Sequence, residues 1–176
     1  ATYRRLACQE GTDQIREYKH LEMVYDAKYS KDGKKMVASL GAPRFRGLVQ
    51  VWDVEYAEEI VGFEHDDAVT GACFSPDGKT LGTACMDKGA RVLALDDGLE
   101  LRMWKQPNFV QTVDFSHDGR FFVSACHDGF ARIFDVRTRK ELQAFRHPEK
   151  VTSARFSPDS TQLATTCGDG GVRIWG

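Results

Sequence analysis

The chain has 176 residues, 41% of them hydrophobic, with 24 Lys and Arg against 26 Asp and Glu and a formal net charge of -2. This is enough apolar material for a sizeable core, and the charge is too small to imply a polyanionic or strongly cationic partner. No stretch reaches the roughly 18 consecutive apolar residues of a membrane helix, and the first 30 residues are too charged for the apolar region of a secretory leader.

One block organises everything after the first turns. It reads Tyr29-Ser30-Lys31-Asp32-Gly33, then Phe74-Ser75-Pro76-Asp77-Gly78, Phe115-Ser116-His117-Asp118-Gly119 and Phe156-Ser157-Pro158-Asp159-Ser160, in steps of 45, 41 and 41 residues. A fixed period in the low forties with a turn at constant phase predicts one supersecondary unit, copied and stacked so that each copy buries its neighbour's apolar face.

In chain order, residues 3–8 align with the third strand of a later copy and residues 14–20 with a fourth strand, so the sequence opens inside a copy. The copies then run approximately over 21–65, 66–106, 107–147 and, in part, 148–176, after a partial one over 1–20. The third copy is the clearest. Val110–Phe115 alternates as a first strand and ends in the Ser-x-Asp-Gly turn, and 120–126 forms the second strand of a hairpin. His127-Asp128-Gly129 turns, 130–136 is a third strand, 137–140 a polar connection and Glu141–Arg146 a fourth strand. The last copy stops after its third strand, giving seventeen expected strands.

The repeated turn has a direct cause. Ser and Asp cap its backbone, Pro presets the second position, and Gly takes a positive φ. Ser160 replaces that Gly in the last copy, so the turn there is expected to be strained or of another type. Side-chain volume is also graded. Second strands carry small residues (Ala38, Gly82, Ala84, Ala125, Ala164, Thr166), and fourth strands carry Tyr18, Phe63, Trp104 and Phe145. Sheets that converge on an axis need this taper, which predicts an all-β propeller of four-stranded antiparallel blades.

Cys85, Cys126 and Cys167 occupy one phase, so their spacing follows from repetition and not from disulfide or metal design. With no Cys-x-x-Cys pair, no metal and no cofactor is expected. The only asparagine, Asn108, precedes Phe109 and Val110 and is no glycosylation acceptor, in line with an intracellular chain, cytoplasmic or nuclear.

Aligned on this period, the copies resemble WD40 repeats, in which a His precedes the first strand, the first turn reads Ser-Pro-Asp-Gly and the third strand ends in Trp-Asp. The dipeptide stands as Trp52-Asp53, relaxes to Phe134-Asp135 and Trp175-Gly176, and is lost at Leu93-Ala94. The resemblance implies a hydrogen-bonded network of the His, a second-strand Ser or Thr, a turn Asp and the third-strand Trp. The last copy holds the full set in His147, Thr165, Asp169 and Trp175. The others are partial: His65, Thr83 and Asp87 without a Trp, Gln106, Ser124 and Asp128 beside Phe134, and His20, Ser39 and Trp52 without an Asp. The last blade is therefore expected to be the most rigid, and the one with Gln106 and Phe134 looser.

Ser124, Asp128 and His127 or His147 could suggest a nucleophilic triad. Their counterparts Thr83 with Asp87 and Thr165 with Asp169 repeat the arrangement, and nothing supplies an oxyanion site, so the set reads as scaffolding and no catalytic residue is expected. The strand count favours a piece of a seven- or eight-bladed ring, with the remaining blades from a longer chain or another subunit. A half-propeller that pairs with a second copy and a closed four-blade ring are the alternatives.

Platforms of this kind are implied, by resemblance, to dock protein partners or peptides within multi-subunit complexes, with no membrane and no direct nucleic-acid contact expected. A peptide reader at the central opening is the alternative, and an enzyme or small-ligand propeller a more distant one. The long first step places four extra residues between strands two and three, at Gly41 to Gly47, with the tip Arg44-Phe45-Arg46. Two forked donors and an aromatic anchor are residue types enriched at binding hot spots. The lead-in loops of the same face carry Asp66, Asp67 and Phe109, and the neighbouring turns carry Met86 and His127, completing the partner-binding candidates.

Overall fold

The computed structural model describes residues 18, 20, 22–42 and 45–176. The expected strand over 3–8, and that over 14–20 apart from Tyr18 and His20, lie outside the described residues. Three four-stranded antiparallel sheets and one three-stranded sheet follow in chain order. The first holds β1 (Val24–Tyr29), β2 (Lys35–Leu40), β3 (Gly47–Asp53) and β4 (Glu59–His65). The second holds β5 (Val69–Phe74), β6 (Thr80–Cys85), β7 (Gly89–Ala94) and β8 (Glu100–Lys105), and the third β9 (Val110–Phe115), β10 (Phe121–Cys126), β11 (Phe130–Asp135) and β12 (Glu141–Arg146). The fourth is β13 (Val151–Phe156), β14 (Leu163–Cys167) and β15 (Val172–Trp175). In every sheet each strand pairs with the one that follows it in the chain.

First strands meet across sheets, β1 against β5, β5 against β9 and β9 against β13, so the sheets converge on their first strands. The core is three seams. Val37, Val49, Val51 and Phe63 of the first sheet meet Val69, Leu81 and Leu93 of the second. Cys73, Ala84 and Val92 meet Val113, Phe115 and Phe122, and Val123 and Ala125 meet Val151 and Leu163. Alternate residues of one strand serve opposite seams, as Phe122 and Val123 do. The small residues of second strands have a steric cause here: a Cβ on Gly82 would stand 2.6 Å from Phe122 Cε2. That contact is too close, so the glycine makes the seat for the largest fully buried side chain.

All four Ser-x-Asp turns are the same object. Each Ser hydroxyl donates to its Asp Oδ1 at 2.6 Å and accepts the backbone N–H five residues on, at 2.8 to 3.0 Å. These bonds, led by the Ser hydroxyl, hold Asp32, Asp77, Asp118 and Asp159 below the usual carboxylate range. The last turn keeps this type, so of the two alternatives expected there the strained one holds. Ser160 sits at φ 60°, beside 71°, 68° and 72° for Gly33, Gly78 and Gly119. The left-handed conformation costs a non-glycine residue roughly 1 kcal/mol, and Ser160 offsets it with an intersheet bond, its Oγ accepting the His117 N–H at 2.8 Å.

Candidate protein-interaction face

Backbone bonds define the two ends of the stack. At one end, residues after the second strands donate to lead-in loop carbonyls: Gly41 to Met23, Met86 to Ala68, His127 to Phe109 and Gly168 to Lys150, at 2.9 to 3.1 Å. At the other, residues after the third strands donate to the Ser-x-Asp turns, Val54 to Lys34, Leu95 to Lys79 and Val136 to Arg120. The first end therefore gathers the lead-in loops, Met86, His127 and the long 41–47 loop.

That end carries exposed apolar side chains. Phe45 is 72% exposed, Met23 63% and Phe109 39%, whereas Met86 is half-buried. Met23 holds the phase of Phe109 in the first copy, since both accept the equivalent backbone bond, and that shared phase is the signal that could have singled it out. The two glycines that bound the long loop press on the lead-in loop of the second sheet: a Cβ on Gly47 would stand 2.1 Å from Asp67 O and one on Gly41 2.9 Å from Ala68 Cα. Gly47, two residues after Phe45, thus sits against the lead-in loop of Asp66 and Asp67.

The charged candidates are already engaged in part. Arg46 pairs with Glu64 across exposed surface, Asp67 Oδ1 accepts the Ala68 N–H at 2.7 Å, and Asp66 is exposed. Arg44 lies outside the described residues. His127 Nε2 is 3.0 Å from Gln111 Oε1, its ring is 6.1 Å from that of Phe109, and burial lowers its pKa.

Beneath this end sit the His nodes. His147 Nε2 is 2.8 Å from Thr165 Oγ1, which also accepts the Trp175 Nε1–H at 2.9 Å, and His147 Nδ1 is 3.0 Å from Phe145 O. A carbonyl only accepts, so Nδ1 carries the proton and Nε2 takes the hydroxyl's. His65 repeats this with Thr83 at 2.9 Å and Phe63 O at 3.4 Å. Burial, then the nearby Arg91 charge, push the His65 pKa down to about 4, which keeps the ring neutral.

The turn aspartates do not join these nodes, which corrects the expectation from the resemblance. Asp169 gives both oxygens to Arg173, Asp87 to Arg91 and Asp128 to Arg132, because a guanidinium fork four residues on matches a carboxylate in two bonds. Burial disfavours the Asp87 and Asp128 charges, yet the arginines override it and hold both carboxylates low. One further correction concerns the first copy. His20 Nδ1 bonds Gln50 Oε1 at 2.8 Å while Ser39 Oγ donates to Asp26 O, and buried Trp52 Nε1 has no partner among the described residues. In the copy expected to be looser, Gln106 donates to Ser124 at 2.7 Å and accepts from Arg132 at 3.1 Å, joining the node to the ion pair. Phe134 stacks on Trp104 at 4.7 Å.

The family described as WD domain, G-beta repeat matches residues 58–92, 100–135 and 139–176, together more than half of the chain. The chain belongs to this family. A comparison with curated proteins gives no match.

Each WD40 match begins with a fourth strand and runs through three strands of the next sheet, so the sequence repeat is offset from the blade and ties two sheets together. Such repeats are generally protein-interaction scaffolds and typically non-catalytic. At the centre of this WD40 stack, first-strand polar groups bind neighbouring first strands. Lys28 Nζ donates to Ala72 O, Thr70 Oγ1 to Val110 O, Arg155 Nη1 to Val113 O, and Asp114 Oδ2 accepts the Phe156 N–H. Burial raises the Asp114 pKa against the opposing charges of Arg155 and Lys28. The cysteines are equally committed: Cys85, Cys126 and Cys167 sulfurs lie 3.0 to 3.4 Å from the carbonyls of Asp67, Asn108 and Glu149, and burial pushes the Cys85 thiol up to about 12.

Proposed function

We propose that the chain is a non-catalytic scaffold that docks protein partners through the end bearing Met23, Phe45, Met86 and Phe109, as part of a multi-subunit assembly. The observation that carries this reading is the grouping of exposed Met23, Phe45 and Phe109 with Arg46, Glu64 and Asp66 on one loop-bearing end. Mixed charge around aromatic anchors suits a protein surface, whereas a phosphate backbone calls for clustered Lys and Arg. The nodes and stitched first strands favour a rigid support for such anchors, which lowers the ordering cost of binding.

Affinity capture with the wild type and with the triple variant Arg44→Ala, Phe45→Ala, Arg46→Ala tests the loop. The expected outcome is loss of one or more partners at unchanged melting temperature. An identical partner set would remove the loop from the face.

A further inference from the structure

Every seam repeats one side-chain pair, a fourth-strand aromatic against the third-strand residue of the next sheet. Trp104 and Phe134 stand 4.7 Å apart, as do Phe145 and Trp175; Tyr18, outside the described strands, stands 5.1 Å from Trp52. Between the first and second sheets the pair is Phe63 and Leu93. Leu93 supplies no ring, and beside it a groove of about 540 Å³ opens, lined by Phe63, Leu93 and the turn of Asp96, Asp97 and Gly98. The volume falls in the range of about 300 to 1,000 Å³ usual for ligand sites.

The charge of the groove is one-sided. Glu64, Asp96, Asp97 and Glu100 line it beside the guanidinium of Arg91, and Arg46 pairs with Glu64 from outside the lining. Arg91 is spent on Asp87 through both Nη atoms and on Glu100 through Nε at 3.0 Å. Asp96 and Asp97 are exposed, and neither forms an ion pair with a cation of the described residues. The apolar floor takes a ring; the rim takes positive charge.

We propose that this groove docks a basic peptide segment of a partner protein, one aromatic side chain filling the place of the missing third-strand ring and flanking Lys or Arg meeting Asp96 and Asp97. A ring there packs on Phe63 as Trp175 packs on Phe145, and charge complementarity selects the sign of the flanks. The site runs along β4 at the outer edge of the first sheet, and neither Phe45 nor Phe109 is among its lining residues.

Fluorescence anisotropy with a labelled Lys-Arg-Trp-Arg-Lys peptide tests it, beside Glu-Asp-Trp-Asp-Glu and Lys-Arg-Ala-Arg-Lys. The basic Trp peptide binds saturably and at least about tenfold more tightly than either control. Leu93→Trp rebuilds the ring pair and abolishes binding without lowering the melting temperature, and Leu93→Phe does the same should the larger ring unfold the chain. Asp96→Asn with Asp97→Asn weakens binding and flattens its salt dependence, whereas Phe45→Ala with Phe109→Ala leaves it unchanged. No saturable binding, equal binding of the acidic peptide, or full binding by both Leu93 variants overturns the proposal. So does a concentration-dependent dimer blocked by Leu93→Trp, which would give the groove to a second copy.

Discussion

Between the third and fourth sheets, Phe145 meets Trp175, whose Nε1 donates to the Thr165 hydroxyl that also serves His147. Between the first and second, Phe63 meets Leu93, and the Thr83 hydroxyl serves His65 alone. The backbone does not register this difference, since turns, bulges and strand pairings keep their phase in both places. The repeat therefore specifies the backbone, while the seam side chains can vary one copy at a time. Losing an aromatic leaves a local groove and leaves the strand in place.

Truncating the complete seam breaks that comparison most severely. Trp175→Ala removes a ring packed against Phe145 and the donor to Thr165, and is expected to cost about 3 kcal/mol by urea unfolding. Thr165→Val should cost about 2 kcal/mol by stranding two groups, and Thr83→Val about 1 kcal/mol by stranding one. Equal costs at the two sites would contradict the account of the nodes.

Acid titration probes the incomplete seam. Because the folded pKa of His65 lies near 4, below its ordinary 6.5, the unfolded chain binds the extra proton first as pH falls. The stabilisation is fully present above pH 6.5 and is lost as pH falls through about 4, by up to about 3 kcal/mol. His65→Gln, which places at this phase the amide that Gln106 supplies in the next copy, should flatten that part of the pH–stability profile.

The smallest expected effect is at a turn. Lys88 holds φ 76° where the equivalent turns hold Gly129 and Gly170 at 89° and 80°. Lys88→Gly should stabilise by up to about 1 kcal/mol in thermal unfolding, because it removes the left-handed penalty.

Period and turn chemistry made most of the fold legible. The third copy's first and fourth strands fall where the alternation puts them, and its inner strands differ by one residue at an end. The pairs His65–Thr83 and His147–Thr165 stand where the resemblance put them. The Asp–Arg forks were also written in the sequence, as Asp-x-x-x-Arg at Asp87, Asp128 and Asp169, but the resemblance assigned those carboxylates to the His instead. Pairs across a seam, such as Trp104 with Phe134, lie 30 residues apart and follow no local pattern, so neither the compensating stack nor the Leu93 groove could be read before the sheets were packed. Exposure of Met23 likewise follows from loop packing, which single residues do not reveal.

Site-specific photo-crosslinking compares the two ends of the stack most directly. A benzophenone side chain placed at Phe45, at Phe109 or at Tyr56, the last an exposed residue of the opposite end, is irradiated in extract from the source cells. The account predicts shared protein adducts from Phe45 and Phe109 and none of them from Tyr56. Adducts that form equally from all three positions, or from Tyr56 alone, would contradict a partner-docking face at the end of the lead-in loops.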